Sequence, residues 1–227
     1  MTQPLVTIIM PAFNRAKYIR EALISLLEDT WIPKEIIVVD DGSTDETAFI
    51  VKSFPEVLYI YQEHQGVAVA RNTALENATG DYVTFLDSDD LWMPGRLAYS
   101  LNFFENNPEI DYILAKLELF LEEGCAIPEG FRQSRLDSPL DSEGTGVLMA
   151  KKACFNRVGK FNPMFRKGED LEWIARASDE GLKMGRIPFV AVRVRIHDQN
   201  TTFLDKTDHR LIVFKIVRDS IHRKKNG

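Results

Sequence analysis

The stretch DYVTFLDSDDLW, Asp81 to Trp92, limits the fold more than any other part of this chain, because it drives an apolar segment straight into four small or acidic positions. Tyr82, Val83, Phe85 and Leu86 have the nearly unbroken hydrophobicity of a strand covered on both faces, which belongs in a parallel sheet. Ligands of open α/β sheets bind at the carboxyl ends of such strands, and Asp87, Ser88, Asp89 and Asp90 stand at this one. Three carboxylates within four residues repel one another unless a cation or hydrogen-bond donors neutralise them. An all-oxygen set of this kind suits a hard divalent ion such as Mg²⁺ or Mn²⁺. The residues alone also permit an acidic turn ahead of the helix that Pro94 opens, since Asp is favoured just outside a helix start.

The same pattern occurs earlier in the chain. Val6 to Met10 predicts a buried first strand stopped by Pro11, followed by the loop PAFN. An amphipathic helix over Ala16 to Glu28 comes next, with Ile19, Ala22, Leu23, Leu26 and Leu27 at helical spacing. A second buried strand, Ile36 to Val39, runs into Asp40, Asp41 and Gly42. Ser43 with Glu46 fits a capping box that starts a helix over Thr44 to Lys52, which leaves the two aspartates unexplained. After a third strand, Val57 to Tyr61, the residues Val67, Ala70, Ala74 and Leu75 form a helical stripe that contains Arg71. A buried arginine needs a partner, either one of the acidic loops or the pyrophosphate of a nucleotide. Neither GxGxxG nor GxxxxGK[ST] occurs, which argues against dinucleotide and P-loop chemistry.

The later chain alternates more loosely. The helix Pro94 to Glu105 carries Leu97, Leu101 and Phe104 inward. Strands are expected over Tyr112 to Leu121 and Ala126 to Phe131 around a turn at Glu122, Glu123 and Gly124. A polar linker, Ser134 to Gly144, precedes a strand over Thr145 to Ala150 and a short helix and turn in KKACFNRVGKFNPMF. In GEDLEWIARASDEG, Glu169, Asp170 and Glu172 crowd the first turn of a helix that stops at Gly181. Acids there are ordinary, because the helix dipole favours them. A strand over Ile187 to Val194 leads to His197, which the residues alone leave as either a hydrogen-bonded surface histidine or a ligand. Leu211 to Val217 predicts a last helix before the basic cluster Arg223, Lys224 and Lys225.

Composition sets outer limits. With 227 residues, 44% of them hydrophobic, the chain can bury a full single core. A net charge of −6 argues against a nucleic-acid partner. Cys125 and Cys154 lack metal-ligand spacing, and with no secretory segment at the amino terminus they read as reduced thiols of a cytoplasmic protein. No apolar run approaches the length of a membrane span, so any membrane contact would be peripheral, at the inner face of the membrane.

Taken together, TIIMPAFN, VVDDGSTDE, GVAVARN, FLDSDD, the GKFNPMFRKGEDLEW segment and RIHDQN resemble glycosyltransferase family 2, inverting enzymes of the GT-A fold, in order and spacing from Val6 to about Thr202. The resemblance implies one α/β domain over residues 1–227, a Rossmann-like, mostly parallel central sheet with helices on both faces. About 4–107 would bind nucleotide, about 108–205 would form the acceptor side, and 206–227 would be a terminal helix and basic tail. It implies a nucleotide site at Pro11, Phe13, Asn14, Asp41, Arg71, Asp87 and Ser88, with Phe13 stacked on the base and Asp41 contacting uracil. Asp89 becomes the expected direct ligand of Mn²⁺ or Mg²⁺, with Asp87 nearer the ribose or a metal-bound water and His197 closing over the ion. Asp170 becomes the expected base, with Glu169 its rival.

The implied reaction moves a sugar from a nucleotide diphosphate sugar, UDP being the expected carrier, to a saccharide, lipid-linked or protein acceptor. The helix amino terminus would keep Asp170 ionised, and the segment Asp198 to Asp205 would be a lid. Phe13 stands where tyrosine is commoner in the family, which keeps ring stacking and loses the phenol. Two other classes remain open at this point. A sugar-1-phosphate nucleotidyltransferase would carry a GxGxR loop and a Pro-Lys, which PAFNRAKY is not. A silent nucleotide-sugar-binding protein would have lost the base or the metal acids.

Overall fold

The computed structural model describes residues 3–31, 33–128, 131–200 and 209–226. β1 (Val6–Ala12) is buried along its whole length. It pairs in parallel with β2 (Lys34–Asp41) on one side and β4 (Tyr82–Phe85) on the other. β3 (Val57–Gln62) adds in parallel outside β2, so the order β3-β2-β1-β4 has every strand running the same way. Three helices connect these strands: α1 (Ile19–Leu27), α2 (Thr47–Lys52) and α3 (Val67–Asn77). All three acidic or polar loops therefore emerge at one edge, as strand-after-strand crossover requires.

Contrary to expectation, Pro11 does not stop the first strand. β4 reaches only as far as opposite Ile9, so beyond that point β1 has a ladder partner on the β2 side alone. A proline without an N–H is tolerated there, as on an edge.

The second half completes the sheet as β4-β8-β6-β9-β5. β8 (Leu148–Lys151) is antiparallel to both β4 and β6 (Tyr112–Leu121), while β6 is parallel to β9 (Met184–Ile196). β5 (Leu91–Trp92) pairs antiparallel with β9, and β7 (Leu140–Asp141) with β6. The helices are α4 (Arg96–Asn106), α5 (Lys152–Val158), α6 (Glu169–Asp179) and α7 (His209–Asn226).

The structure corrects several local expectations. Residues 125–128 form no strand, and 129–130 lie outside the described residues, so the turn at Gly124 does not lead into the second strand that was expected. Thr145–Val147 is a 3₁₀ turn ahead of β8. The capping box is not formed. Asp45 takes that role by accepting from the Thr47 N–H at 3.0 Å, while Ser43 Oγ accepts from the Asn14 N–H at 2.9 Å. Ser43 is thus spent on joining two loops, which a local motif cannot reveal.

One core of strand and helix residues fills the domain, with Tyr112, Phe155 and Phe161 each in ring contact with Trp173. A smaller cluster of Phe165, Ile212 and Ile216 seats α7 against α6. Arg96 is buried in the main core, 4.0 Å above the Trp92 ring, and donates to Thr84 Oγ1 at 2.6 Å. Burial pushes its guanidinium pKa down to about 9. With Trp92 Nε1 donating to Asp29 at 2.8 Å, this cluster fixes the chain on the far side of the acidic loop.

Candidate active site

The loop Asp87–Asp90 is held at both ends. The Leu86 N–H extends the ladder to Ile9 O, the Asp90 N–H closes a turn on Asp87 O, and β5 then pairs with β9. That last pairing carries the end of β9 back over the loop, 108 residues further on, where His197 Nε2 lies 3.2 Å from Asp89 Oδ2. Arg15 Nε donates to the same oxygen at 3.1 Å. Burial alone would raise the Asp89 pKa, but the hydrogen bond from His197 and the Arg15 charge bring it below the usual carboxylate value. Asp90 behaves oppositely. Burial first, and then the charges of Asp89 and Asp87, push its pKa well up despite the Arg195 N–H donated at 3.0 Å. Two adjacent carboxylates of one loop are thus shifted in opposite directions by their surroundings.

His197 is fixed from several directions. Its ring packs on Tyr18 with centroids 4.5 Å apart, and its Nδ1 accepts the Gln199 N–H at 3.1 Å. An Nδ1 that accepts leaves the hydrogen on Nε2, which donates to Asp89. A cation on Nε2 therefore requires the hydrogen to move to Nδ1 and the Gln199 contact to open. The proposed lid can be followed only to Asn200, because 201–208 lie outside the described residues.

Among the described residues no three His, Cys, Asp or Glu side chains converge as a metal cage. Asp89 and His197 converge as a pair, one carboxylate oxygen beside one imidazole nitrogen. Two protein ligands fit a Mg²⁺- or Mn²⁺-type ion that completes its shell with phosphate oxygens and water, and do not fit a closed structural site.

Arg71 joins the two halves of the chain. It is 3% exposed, donates through Nη2 to Asp87 Oδ1 at 2.8 Å, and pairs through Nη1 with Glu169 at the start of α6. Burial raises the Glu169 pKa, with Arg71 pulling the other way. The neighbouring Asp170 accepts the Leu171 N–H at 2.8 Å and lies beside the Gly144 turn, where a methyl on Gly144 would stand 3.6 Å from its Oδ2. Its pKa is also raised, chiefly by burial, with the Arg71 charge pulling the other way. The third first-turn acid, Glu172, has a purely structural role: Arg176 chelates it through Nε and Nη2.

At the other end of the edge, Asp41 is buried and saturated. Its Oδ1 accepts Gln62 Nε2 at 2.6 Å and the Gln65 N–H at 2.9 Å. Its Oδ2 accepts the Gly66 N–H at 2.8 Å and lies 2.9 Å from His64 Nδ1. Phe13 is partly exposed, and His64 stacks on it with centroids 4.2 Å apart. Asn14, at φ 51°, accepts the Thr44 N–H and so staples the first loop to the second. Pro11 and Ser88 are buried beneath the same edge. Arg15, Tyr18, His64 and Arg195 were not singled out from sequence. Only the position of Arg15 directly after PAFN hinted at any of them.

The profile of Glycosyl transferase family 2 matches residues 7–122, just over half of the chain. The chain belongs to glycosyl transferase family 2. An uncharacterized glycosyltransferase of Rickettsia typhi is 30% identical over 88% of this chain and 66% of its own length. Among solved structures, S. aureus TarS 1-349 in complex with UDP-GlcNAc superposes with a TM-score of 0.77 at 21% identity, over 96% of this chain and 66% of that one. The mannosyltransferase PcManGT from Pyrobaculum calidifontis, in complex with GDP-Man and Mn2+, gives a TM-score of 0.66 at 25% identity, over 88% and 59%. The fold of this family-2 chain is therefore that of the GT-A glycosyltransferases, and the chain spans about two thirds or less of the length of these relatives. No helix among its described residues is long and apolar enough to cross a membrane.

Proposed function

We propose that this chain is an inverting glycosyltransferase that takes a sugar from a nucleotide diphosphate sugar, with UDP as the carrier, and places it on an acceptor hydroxyl. The observation that carries the reading is the Arg71 bridge from Asp87 to Glu169. It makes the acidic loop after β4 and the acidic start of α6 one rigid unit, with a cation between them. Phe13 and Asp41 offer a flat ring and an acceptor at one end of the edge, matching a uracil face and its imide N–H.

A divalent ion held by Asp89 and His197, with Asp87 nearby, would supply positive charge to the departing diphosphate. The protein's own contribution there is the fixed guanidinium of Arg71, already oriented before any substrate arrives. At the acceptor end, Glu169 is committed to Arg71, which leaves Asp170 as the carboxylate able to take a proton. Its raised pKa makes it a stronger base than an exposed aspartate. As the acceptor oxygen bonds to the anomeric carbon, its proton passes to Asp170, the carbon–phosphate oxygen bond breaks, and the electron pair leaves with the diphosphate. The acceptor is set by the surface beside Gly144 and by the segment after His197.

The test is Asp170→Asn. Transfer is expected to fall by about two to four orders of magnitude with UDP affinity retained, and the wild-type product is expected to be inverted at the anomeric carbon by NMR. Near-normal turnover in the variant, or a retained configuration, overturns the assignment. In the parent enzyme the acid limb of kcat should lie above the usual aspartate range, because activity requires Asp170 ionised and its pKa is raised.

A further inference from the structure

The base subsite just proposed is not open in the free protein, because another ring already lies in it. The imidazole of His64 stacks on Phe13 at 4.2 Å between centroids and 25° between planes. Its Nδ1 stands 2.9 Å from Asp41 Oδ2 and 3.1 Å from Asp41 O. Both neighbours are acceptors, so Nδ1 carries the hydrogen and donates. A flat heteroaromatic ring stacked on Phe13 and donating N–H to Asp41 makes the two contacts a uracil would make there. The 4.2 Å spacing leaves no room for a base between the two rings, since each stacking layer needs about 3.5 Å.

We propose that His64 is the resident occupant of the base subsite, and that a uridine nucleotide binds by displacing its imidazole from Phe13 and from Asp41 Oδ2. This rests on the base assignment made above.

The local geometry says how the exchange occurs. Asp41 keeps Gln62, the Gln65 N–H and the Gly66 N–H when His64 leaves, so exactly one acceptor position on Oδ2 is freed for the incoming imide. The backbone after His64 is held by the Gln65 and Gly66 N–H bonds to Asp41, and Gly42 leaves room for it, since a methyl there would stand only 2.9 Å from His64 N. The side chain, in contrast, is 57% exposed. The ring can therefore swing outward about its Cα–Cβ bond while the loop stays in place, a rotamer change on the fast end of side-chain motion. Removing the ring should relieve the nucleotide of a tethered competitor whose effective concentration is finite and independent of dilution, an intramolecular effect rather than a change in the contacts of the complex.

The experiment measures binding to the full chain by calorimetry, with UDP and with inorganic pyrophosphate, each in the presence of Mn²⁺. His64→Ala is expected to tighten UDP by about three- to tenfold, the worth of a modest ring stack and its hydrogen bond. Pyrophosphate, which has no base, should bind parent and variant alike. In the parent, the His64 ring resonances should shift on adding UDP and stay put on adding pyrophosphate. His64→Phe, which keeps a stacking ring without the N–H, should fall between parent and alanine. UDP affinity that is unchanged or weakened in a His64→Ala protein of parental melting temperature overturns the proposal, as does equal tightening of pyrophosphate. Phe13→Ala and Asp41→Asn separate the two levels. If both weaken UDP while His64→Ala does nothing, the base site stands and the displacement fails. If neither alters UDP, the base assignment fails and takes the role of His64 with it.

Discussion

Replacing Arg71 by methionine keeps an apolar stem of similar reach and removes the charge that joins Asp87 to Glu169. The two partners lose unequally. The Asp87 side chain is 44% exposed and can rehydrate, so its share is small. The Glu169 side chain is 8% exposed, and breaking a buried pair from one side costs about 3–5 kcal/mol because the remaining charge is stranded. For a domain of this size that corresponds to a fall in Tm of about 6–20 °C. The cost should depend on pH. Burial already holds the Glu169 pKa above its unfolded value, and loss of Arg71 removes an influence that lowers it. A carboxyl whose folded pKa is raised binds its proton more tightly when folded. Stability is then greatest below the unfolded pKa and declines, by about 1.4 kcal/mol per pH unit, as pH rises toward the folded value. Urea unfolding of Arg71→Met should accordingly show a small loss near pH 4 and the full loss near pH 8 (about 3–5 kcal/mol). Arg71→Met combined with Glu169→Gln should recover most of it. A loss below about 1 kcal/mol at the higher pH, or one that is the same at both, refutes the reasoning.

Other expectations are as direct. Asp89→Ala should abolish the extra rise in Tm that Mn²⁺ gives in the presence of UDP, since an ion binding only the native state stabilises it by mass action; thermal scans with and without EDTA check this, and an undiminished rise in the variant counts against Asp89 as ligand. Trp173→Ala should cost about 3–5 kcal/mol in urea unfolding, because the indole is fully buried among Tyr112, Phe155 and Phe161. A loss under about 1 kcal/mol would mean that this aromatic cluster is not close-packed.

The parallel half of the sheet was legible because its signals are local. Ile36 to Val39 and Tyr82 to Phe85 announce buried strands by composition, and each runs directly into its acids. The antiparallel half was less so. Ala126 to Phe131 has strand-like content, yet its described residues, 126–128 and 131, join no strand, whereas β8 enters between β4 and β6 on only four residues, Leu148–Lys151. Ser43 satisfied a capping pattern that the neighbouring loop overrode, since a hydroxyl that can serve its own helix can equally accept the Asn14 N–H.

By itself the sequence determined which residue types stand at the ends of the strands, because strand period, burial and loop chemistry depend on neighbours a few positions apart. Only the tertiary structure decided who meets whom. Arg71 and Glu169 are 98 residues apart, Asp89 and His197 are 108 apart, and Arg15 reaches Asp89 across 74. Those meetings follow from sheet order and register, which sum many weak preferences over the whole chain and leave no mark at any single position. The same holds for His64, whose ring reaches Phe13 and Asp41 only because β3 lies beside β2 and returns its loop to the shared edge.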